Sequence, residues 1–244
     1  MAAPIVEVLE NDTDVANRLC DIVIDHANKA IESDGFFAVG FSGGSLVKFL
    51  CAGLPTRKTD WAKWRIFFCD ERHVSYDDPE CTYAQYRKGL EGKVTLTEDS
   101  NIFPINPNVS VEKAAEEYVQ KVRKVFPGND LPSFHLLLLG MGPDGHTCSL
   151  FPGHQLLKET ERMYAAISDS PKPPPCRITM TYPVINNCKC AIFASCGAGK
   201  ADILQRVLEG NEADPLPAAS VRPTKGDVMW LLDKAAAAKL KSCL

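Results

Sequence analysis

The chain has 244 residues, and 45% of them are hydrophobic, which is enough to bury a sizeable core. This length fits one large α/β domain or two small domains, and we predict a single α/β domain over residues 1–244. Lysines and arginines number 27 against 31 acidic residues, for a formal net charge of −4. This balance argues against a general attraction to nucleic acid, so an anionic ligand would have to meet a local cluster of basic groups.

The ten cysteines are scattered along the chain without a CxxC pair, and several lie in apolar runs such as 66–69. This pattern predicts reduced, buried thiols in a reducing compartment, and no ligand spacing fits a zinc site. Residues 1–4 lack the basic and apolar regions of a signal peptide, and no apolar run reaches the length of a membrane span. We therefore expect a cytoplasmic, monomeric protein with no metal, no nucleic-acid partner and no membrane partner.

Apolar runs of strand length alternate with helical patterns along the first half of the chain. After a short apolar segment at 5–9, capping side chains at 11–14 and apolar residues at helical spacing predict a helix that ends at Asp34 and Gly35. The elements that follow are a strand at 36–41, a helix after residue 45, a strand at 65–69, a helix at 82–90, a short strand at 101–105 and an amphipathic helix at 110–126.

The second half continues this alternation, and serial prolines at 170–175 require an extended loop because proline continues neither helix nor ladder. The predicted elements are strands at 134–139, 163–167, 177–182, 189–195 and 228–232, a helix at 197–208 and an alanine-rich helix that ends near residue 240. Such alternation predicts a mainly parallel, doubly wound, Rossmann-like sheet with helices on both faces. Ligands of these sheets bind beyond the carboxyl ends of the strands.

The strand at 134–139 ends in a glycine-rich loop that carries Asp144 and His146. The loop matches the dinucleotide pattern GxGxxG, but a Pro-Gly pair interrupts any helix that would start at Gly145, and no acidic residue follows at the required distance. We reject dinucleotide binding for these reasons. His146 is a candidate general base because an imidazole titrates near neutral pH, and Asp144 can orient it. A structural histidine capped by the neighbouring aspartate is the alternative.

Two glycine-rich turns lead from a strand into a helix and can bind an anion. Residues 42–45 present backbone N–H groups and two hydroxyls at a helix N-terminus, where the helix dipole favours phosphate. The turn at 197–200 has the same form and adds the cation of Lys200, although its spacing is not that of a P-loop. An ordinary tight turn is the alternative for each. Together with Arg177, the two turns favour a small phosphorylated ligand.

Four ionisable side chains, from Asp70 to His73, directly follow a predicted buried strand. Burial can perturb the carboxylate of Asp70, and the guanidinium of Arg72 can meet an anion or a polarised carbonyl. A local ion pair is the alternative, and we favour it for Glu71. In a doubly wound sheet, this segment converges with the first glycine-rich turn and with the histidine-bearing loop.

Motifs along nearly the whole chain together resemble the 6-phosphogluconolactonases, in the form found in animals. The matching segments are GFSGGS at 40–45, FCDER at 68–72, GPDGHTCSLFP at 142–152, SDSPKPPP at 168–175, RIT at 177–179, YPVIN at 182–186 and GAGK at 197–200. The long central motif is the specific one, whereas the glycine turns alone would not identify a family. The resemblance implies an α/β fold related to that of glucosamine-6-phosphate deaminases, with no metal and no organic cofactor.

The resemblance also implies a sugar-phosphate lactone as the substrate and a role for each residue. His146 would activate water for attack on the lactone carbonyl, and Arg72 would stabilise the developing oxyanion or hold substrate oxygens. Asp70 and Asp144 would line the same pocket. The 6-phosphate would be received by Ser42, Gly43, Gly44, Arg177 and Lys200.

Two other functions fit parts of the sequence. An amino-sugar-phosphate deaminase/isomerase shares the fold, the phosphate turn and the Asp-Gly-His element, but is expected to carry a glutamate shortly after the histidine. No carboxylate occurs between His146 and Glu159, and Phe151 stands at the expected place, which favours hydrolysis. A non-catalytic sugar-phosphate sensor needs a phosphate site but no base. The joint presence of His146, Asp70, Arg72 and Asp144 therefore argues against that function.

Overall fold

Nine strands and seven α-helices occur within residues 3–128 and 130–241, which the computed structural model describes. The strands are β1 (Ile5–Leu9), β2 (Phe37–Phe41), β3 (Trp64–Phe68), β4 (Asp70–Arg72), β5 (Leu136–Leu139), β6 (Tyr164–Ile167), β7 (Arg177–Met180), β8 (Cys190–Ser195) and β9 (Asp227–Asp233). The helices are α1 (Asp12–Asp34), α2 (Ser45–Gly53), α3 (Thr82–Leu90), α4 (Val111–Val125), α5 (Tyr182–Ile185), α6 (Ala201–Glu209) and α7 (Lys234–Ala237). Among the described residues, no helix is both long enough and apolar enough to span a membrane.

Six strands form a parallel sheet in the order β1-β9-β8-β5-β2-β3. Successive side chains of a strand point to opposite faces, so each strand supplies two cores. In β5, Leu136 and Leu138 pack into a core with α1, α2 and α3, whereas Leu137 and Leu139 pack into a second core with α4 and α6. The predicted mainly parallel, doubly wound sheet with helices on both faces is confirmed.

The first helix begins and ends where the sequence predicts. The side chain of Asn11 accepts a hydrogen bond from the backbone N–H of Asp14 at 3.0 Å, which satisfies one of the unpaired donors of the first turn. Gly35 ends the helix in the left-handed region with φ of 82°, a conformation that glycine adopts without steric cost.

A second, antiparallel sheet of three strands, in the order β4-β7-β6, lies outside the sequence prediction. The segment from Asp70 to Arg72, for which the sequence predicts no strand, forms β4, and only Cys69 separates it from β3. A strand cannot be predicted from this segment, because all three residues of β4 are charged and lack the usual apolar alternation. The register pairs Arg72 with Arg177, which brings two of the predicted site residues together.

The predicted strand at 101–105 is wrong. Backbone pairing is limited there to two isolated bridges, which join Ile102 to Ile66 and to Glu98. In the first bridge, the N–H of Ile66 donates to the carbonyl of Asn101, and the carbonyl of Ile66 accepts from the N–H of Phe103. Asn101 also donates side-chain hydrogen bonds to backbone carbonyls between 61 and 64, which holds the segment as an irregular connection. The predicted strand at 177–182 is also too long, because β7 ends at Met180 and the short helix α5 begins at Tyr182, with Pro183 in its first turn.

Glu71 joins the small sheet to α3. Its side chain is fully buried, and its two carboxylate oxygens accept hydrogen bonds from the backbone N–H groups of Arg72, Thr82 and Tyr83 at 2.7–2.9 Å. The ion pair predicted for Glu71 is therefore wrong, since its partners are backbone donors at the N-terminus of a helix, where a carboxylate is favoured. The contact fixes α3 beside the charged strand.

We expect Glu71→Ala to lower the free energy of unfolding by about 3 kcal/mol, because three backbone N–H groups, two of them buried, would lose their acceptor. Glu71→Gln keeps one acceptor oxygen and should cost less. The measurement is chemical denaturation, with Glu91→Ala at the exposed end of α3 as the control. Equal stabilities for Glu71→Ala and this control would contradict the assignment.

Candidate active site

A cavity of about 280 Å³ lies at the carboxyl edge of the main sheet. Of the nine site residues predicted from the sequence, eight line it, namely Ser42, Gly43, Gly44, Asp70, Arg72, His146, Arg177 and Lys200. The ninth, Asp144, contacts His146. A larger cavity of about 650 Å³ lies beside α3, and no predicted site residue lines it. The chemistry-bearing residues therefore converge on the smaller cavity.

His146 and Asp144 form a hydrogen-bonded pair in which Nδ1 lies 2.5 Å from Oδ1. Burial lowers the pKa of His146, whereas the bond to Asp144 raises it and offsets part of this shift. Burial is the largest single influence on Asp144 and would raise its pKa, but the bond to His146, the charge of His146, the bond from Lys172 and a backbone hydrogen bond together outweigh it and bring the pKa to about 2. At neutral pH the pair is a carboxylate beside a neutral imidazole, with the proton on Nδ1 and a free electron pair on Nε2.

The loop conformation sets the position of the imidazole. Gly142 N–H donates to the carbonyl of His146 at 2.9 Å, and Gly145 turns the chain with φ of 79°. A Cβ atom on Gly142 would lie 2.0 Å from two atoms of the imidazole, so only glycine lets the ring pack against the backbone here. The Phe151 ring contacts the imidazole on another side, with the ring centroids 4.7 Å apart.

The first glycine-rich turn lies at the N-terminus of α2 and lines the same cavity as His146. Gly44 has φ of 73°, and its backbone starts the helix without a capping side chain. Ser42 is 4% exposed, its carbonyl accepts from Tyr86 Oη at 2.8 Å, and its Oγ has no partner among the described residues. An unpartnered buried hydroxyl beside free helical N–H groups is suited to an anion.

The second turn brings Lys200 to the same cavity. Gly197 N–H donates to the Asp233 carboxylate at 3.0 Å, which anchors the turn, and Lys200 Nζ donates to the carbonyl of Met141 at 2.7 Å. Burial lowers the pKa of Lys200, and the nearby charge of Lys172 lowers it further. An anion in the cavity would stabilise the ammonium form.

The small sheet contributes one buried carboxylate and two guanidinium groups. Asp70 is 8% exposed and accepts from Ser149 Oγ at 2.8 Å. Arg72 Nη1 lies 2.5 Å from a carboxylate oxygen of Glu80, which is the local ion pair weighed for this segment, with a partner that the sequence does not identify. Arg177 is 3% exposed, and burial lowers the pKa of its guanidinium.

The sequence places Lys172 in the proline-rich loop at 168–175 and leaves two alternatives open, a loop that closes over the substrate and a loop that crosses the surface. The Nζ atom of Lys172 lies 3.1 Å from Asp144 Oδ1 and 3.1 Å from His146 Nδ1. A basic residue surrounded by prolines was the available signal, but a loop's path over the surface cannot be derived from its composition.

Residues 10–230 match the family described as glucosamine-6-phosphate isomerases/6-phosphogluconolactonase. The chain is 46% identical to the 6-phosphogluconolactonases of Bos taurus and of Homo sapiens, in alignments that cover 97% of this chain and 95% of each relative. The chain belongs to this family. Its fold is also similar to that of 6-phosphogluconolactonase from Trypanosoma brucei, with a TM-score of 0.87 and 25% identity over 98% of this chain and 100% of that one. The resemblance inferred from the motifs is confirmed.

The close contact between Gly142 and the imidazole of His146 predicts that a larger residue at 142 would strain the loop. We expect Gly142→Ala to push the imidazole away from Asp144 and to lower the free energy of unfolding by about 1–3 kcal/mol. The downfield NMR signal of the proton shared with Asp144 should disappear. Gly140→Ala is the control, because a Cβ atom there meets nothing within 4 Å. Persistence of that signal in Gly142→Ala would contradict the packing argument.

Proposed function

We propose that this chain is an enzyme that hydrolyses 6-phospho-D-glucono-1,5-lactone to 6-phospho-D-gluconate, in the oxidative pentose phosphate pathway. Relatives at 46% identity carry the name of this activity. The observation that carries the proposal is the Asp144–His146 pair at a cavity that is also lined by a hydroxyl with no partner among the described residues, a helix N-terminus and a lysine. Such a site combines a base with groups that suit an anion.

In the proposed mechanism, His146 acts through Nε2, the ring nitrogen that Asp144 does not use. Nε2 removes a proton from water as the water oxygen bonds to C1 of the lactone, and the carbonyl oxygen becomes an oxyanion. When the tetrahedral intermediate collapses, the bond between C1 and the ring oxygen breaks, and the imidazolium returns its proton to that oxygen. The product acid then ionises and releases one proton. Asp144 stabilises the transient imidazolium.

The oxyanion and the phosphate require separate partners. Arg72 and Arg177 lie side by side on β4 and β7, and a guanidinium N–H directed at the carbonyl oxygen would stabilise its developing charge. Ser42, the two glycines that follow it and Lys200 suit the 6-phosphate, because they combine N–H groups, a hydroxyl and a cation. This attachment, remote from the reacting bond, orients the lactone for attack.

The family also contains glucosamine-6-phosphate isomerases, which act on a different sugar phosphate. Phe151 occupies the place where a ring-opening glutamate is expected, and its ring packs against His146. The described part of the loop therefore offers an apolar surface where that reaction would need a carboxylate. This contact supports hydrolysis.

A cytoplasmic location and a monomeric state complete the proposal. The nine cysteines in the described residues are free thiols, seven of them buried, which suits a reducing compartment.

We expect the wild-type protein to accelerate acid release from freshly generated 6-phosphogluconolactone well above the rate in buffer. It should release no ammonia from glucosamine 6-phosphate. A pH-stat measures the first reaction and a coupled ammonia assay the second. Lactone decay at the buffer rate would exclude the proposed activity, and release of ammonia would indicate the isomerase reaction.

His146→Ala should lower kcat by about 10²–10⁴-fold, because a general base contributes a factor of this size. The phosphate site lies elsewhere in the cavity, so 6-phosphogluconate should still bind with nearly wild-type affinity in calorimetry. His26→Ala, on α1, is the control and should keep its activity. A wild-type rate for His146→Ala would show that another group activates the water.

Ser42→Ala should raise the KM for the phosphorylated lactone about tenfold, since a hydrogen bond to a charged group is worth about 1.5–3 kcal/mol. Thermal stability should not fall, because the hydroxyl has no partner among the described residues. The matched control is the unphosphorylated glucono-1,5-lactone, whose slow hydrolysis should be equal in both proteins. An equal loss on both lactones would argue against phosphate binding at Ser42.

A further inference from the structure

The proline-rich loop at 168–175 presents one cation to the Asp144–His146 pair. Lys172 Nζ lies 3.1 Å from the same carboxylate oxygen that binds the imidazole, and 3.1 Å from Nδ1 of that imidazole. The three groups therefore form a closed triangle. The Lys172 side chain is 35% exposed, so it reaches the pair from the solvent side.

Arg177 holds the segment of the loop that carries this lysine. Its Nε donates to the carbonyl of Pro174 at 3.0 Å, and its Nη2 donates to the carbonyls of Pro173 at 3.0 Å and Lys172 at 2.9 Å. A planar guanidinium can satisfy three carbonyls from fixed directions, which a lysine in its place could not do. The position of the loop is thus tied to a buried residue of β7.

Further bonds fix the loop from within and at its start. Ser170 Oγ donates to the carbonyl of Lys172 at 2.8 Å and accepts from its N–H at 3.2 Å. Asp169 Oδ1 lies 3.0 Å from Nε2 of His154, which joins the loop to the chain that follows the histidine-bearing loop. Both backbone polar groups of Lys172 therefore have partners, and its side chain starts from a defined place.

We propose that Lys172 is a positioning residue for the proposed base His146. Lys172 holds the Asp144 carboxylate in place and disfavours the imidazolium form of His146. Arg177 holds the loop so that Lys172 reaches this position. The inference rests on the proposed lactonase function. It assigns Arg177 a structural task besides the phosphate contact expected from the sequence.

The geometry gives Lys172 two electrostatic effects. Because Nδ1 donates its proton to Asp144, the ammonium cannot donate to that nitrogen and must donate to the carboxylate. The ammonium thus competes with the imidazole for the charge of Asp144 and repels a second positive charge on the ring. A like charge at this distance lowers the pKa of a histidine, and Lys172 has this effect on His146.

Other groups around His146 change its pKa besides Lys172. Burial is the largest influence and lowers its pKa, while the carboxylates of Asp144 and Asp70 raise it. The ring also packs against Phe151 and the backbone of Gly142, which carry no charge. Three further cations line the cavity beyond the imidazole, namely Arg72, Arg177 and Lys200. Lys172 is the cation in direct contact with the pair among the described residues.

The test is the pH dependence of kcat/KM. A histidine base is active above its pKa, so loss of a cation that lowers this pKa must move the acid limb to higher pH. We expect Lys172→Met to shift the acid limb upward by about one pH unit, with a plateau at high pH within a few-fold of wild type. Lys172→Arg keeps the charge and should restore the wild-type limb.

Two further variants separate position from charge. Arg177→Lys retains a cation but loses the planar set of donors, so it should shift the limb in the same direction as Lys172→Met. Lys158→Met removes an equal charge at an exposed position outside the cavity and should leave the profile unchanged. A large rise in KM for Lys172→Met with no shift of the limb would make Lys172 a substrate ligand and overturn the proposal.

A direct titration distinguishes failure of this inference from failure of the proposed function. NMR of labelled histidines, with His146→Ala used for assignment, reports the pKa of His146 without any substrate. We expect this pKa to rise in Lys172→Met. If the wild-type protein hydrolyses the lactone but the pKa does not move, the role of Lys172 is wrong. If the lactone is not hydrolysed but the pKa rises, the electrostatic contact stands and the lactonase function falls.

Discussion

Parallel pairing of β8, β5, β2 and β3 brings the carboxyl ends of these strands to one edge of the sheet. Ser42, His146 and Lys200 meet at this edge because they follow the ends of β2, β5 and β8, and the small sheet adds Arg72 and Arg177 from β4 and β7. The strands themselves contribute almost only apolar side chains to two cores, so their polar extensions carry the chemistry. A change in the order of the strands would separate the proposed base from the anion site even if every loop kept its conformation.

The sequence predicted those parts of the fold in which local pattern and environment agree. The strands of the main sheet are buried on both faces and have continuous apolar runs, so β2 and β5 were found within one or two residues of their bounds. The sequence does not predict β4, because its three residues are charged and lack the apolar side chains of a sheet face. They serve the site instead, or, in the case of Glu71, the contact with α3. The contact of Lys172 depends on the path of a loop, which no residue pattern encodes.

The small sheet buries charged side chains, and their burial costs free energy on folding unless they have hydrogen-bond partners. Glu71, Asp70 and Arg177 are each at least 92% buried, and an unpaired charge in such a place would cost several kcal/mol. The structure satisfies them mainly with neutral groups, because Glu71 accepts from backbone N–H groups and Arg177 donates to backbone carbonyls. Burial raises the pKa of Glu71 to about 7 despite its hydrogen bonds, whereas the guanidinium of Arg177 lines the cavity and adds its positive charge there.

The hydrogen bonds of Arg177 limit how many of its N–H donors remain for the phosphate, compared with Lys200. A guanidinium has five N–H donors, and four of them are directed at three loop carbonyls and at Ser149 Oγ, so at most one remains for a ligand. Bidentate binding of phosphate by Arg177 would require release of the loop, and with it the displacement of Lys172 from the Asp144–His146 pair. The phosphate is therefore better served by the turn at Ser42 and by Lys200, which reach the cavity without breaking these bonds.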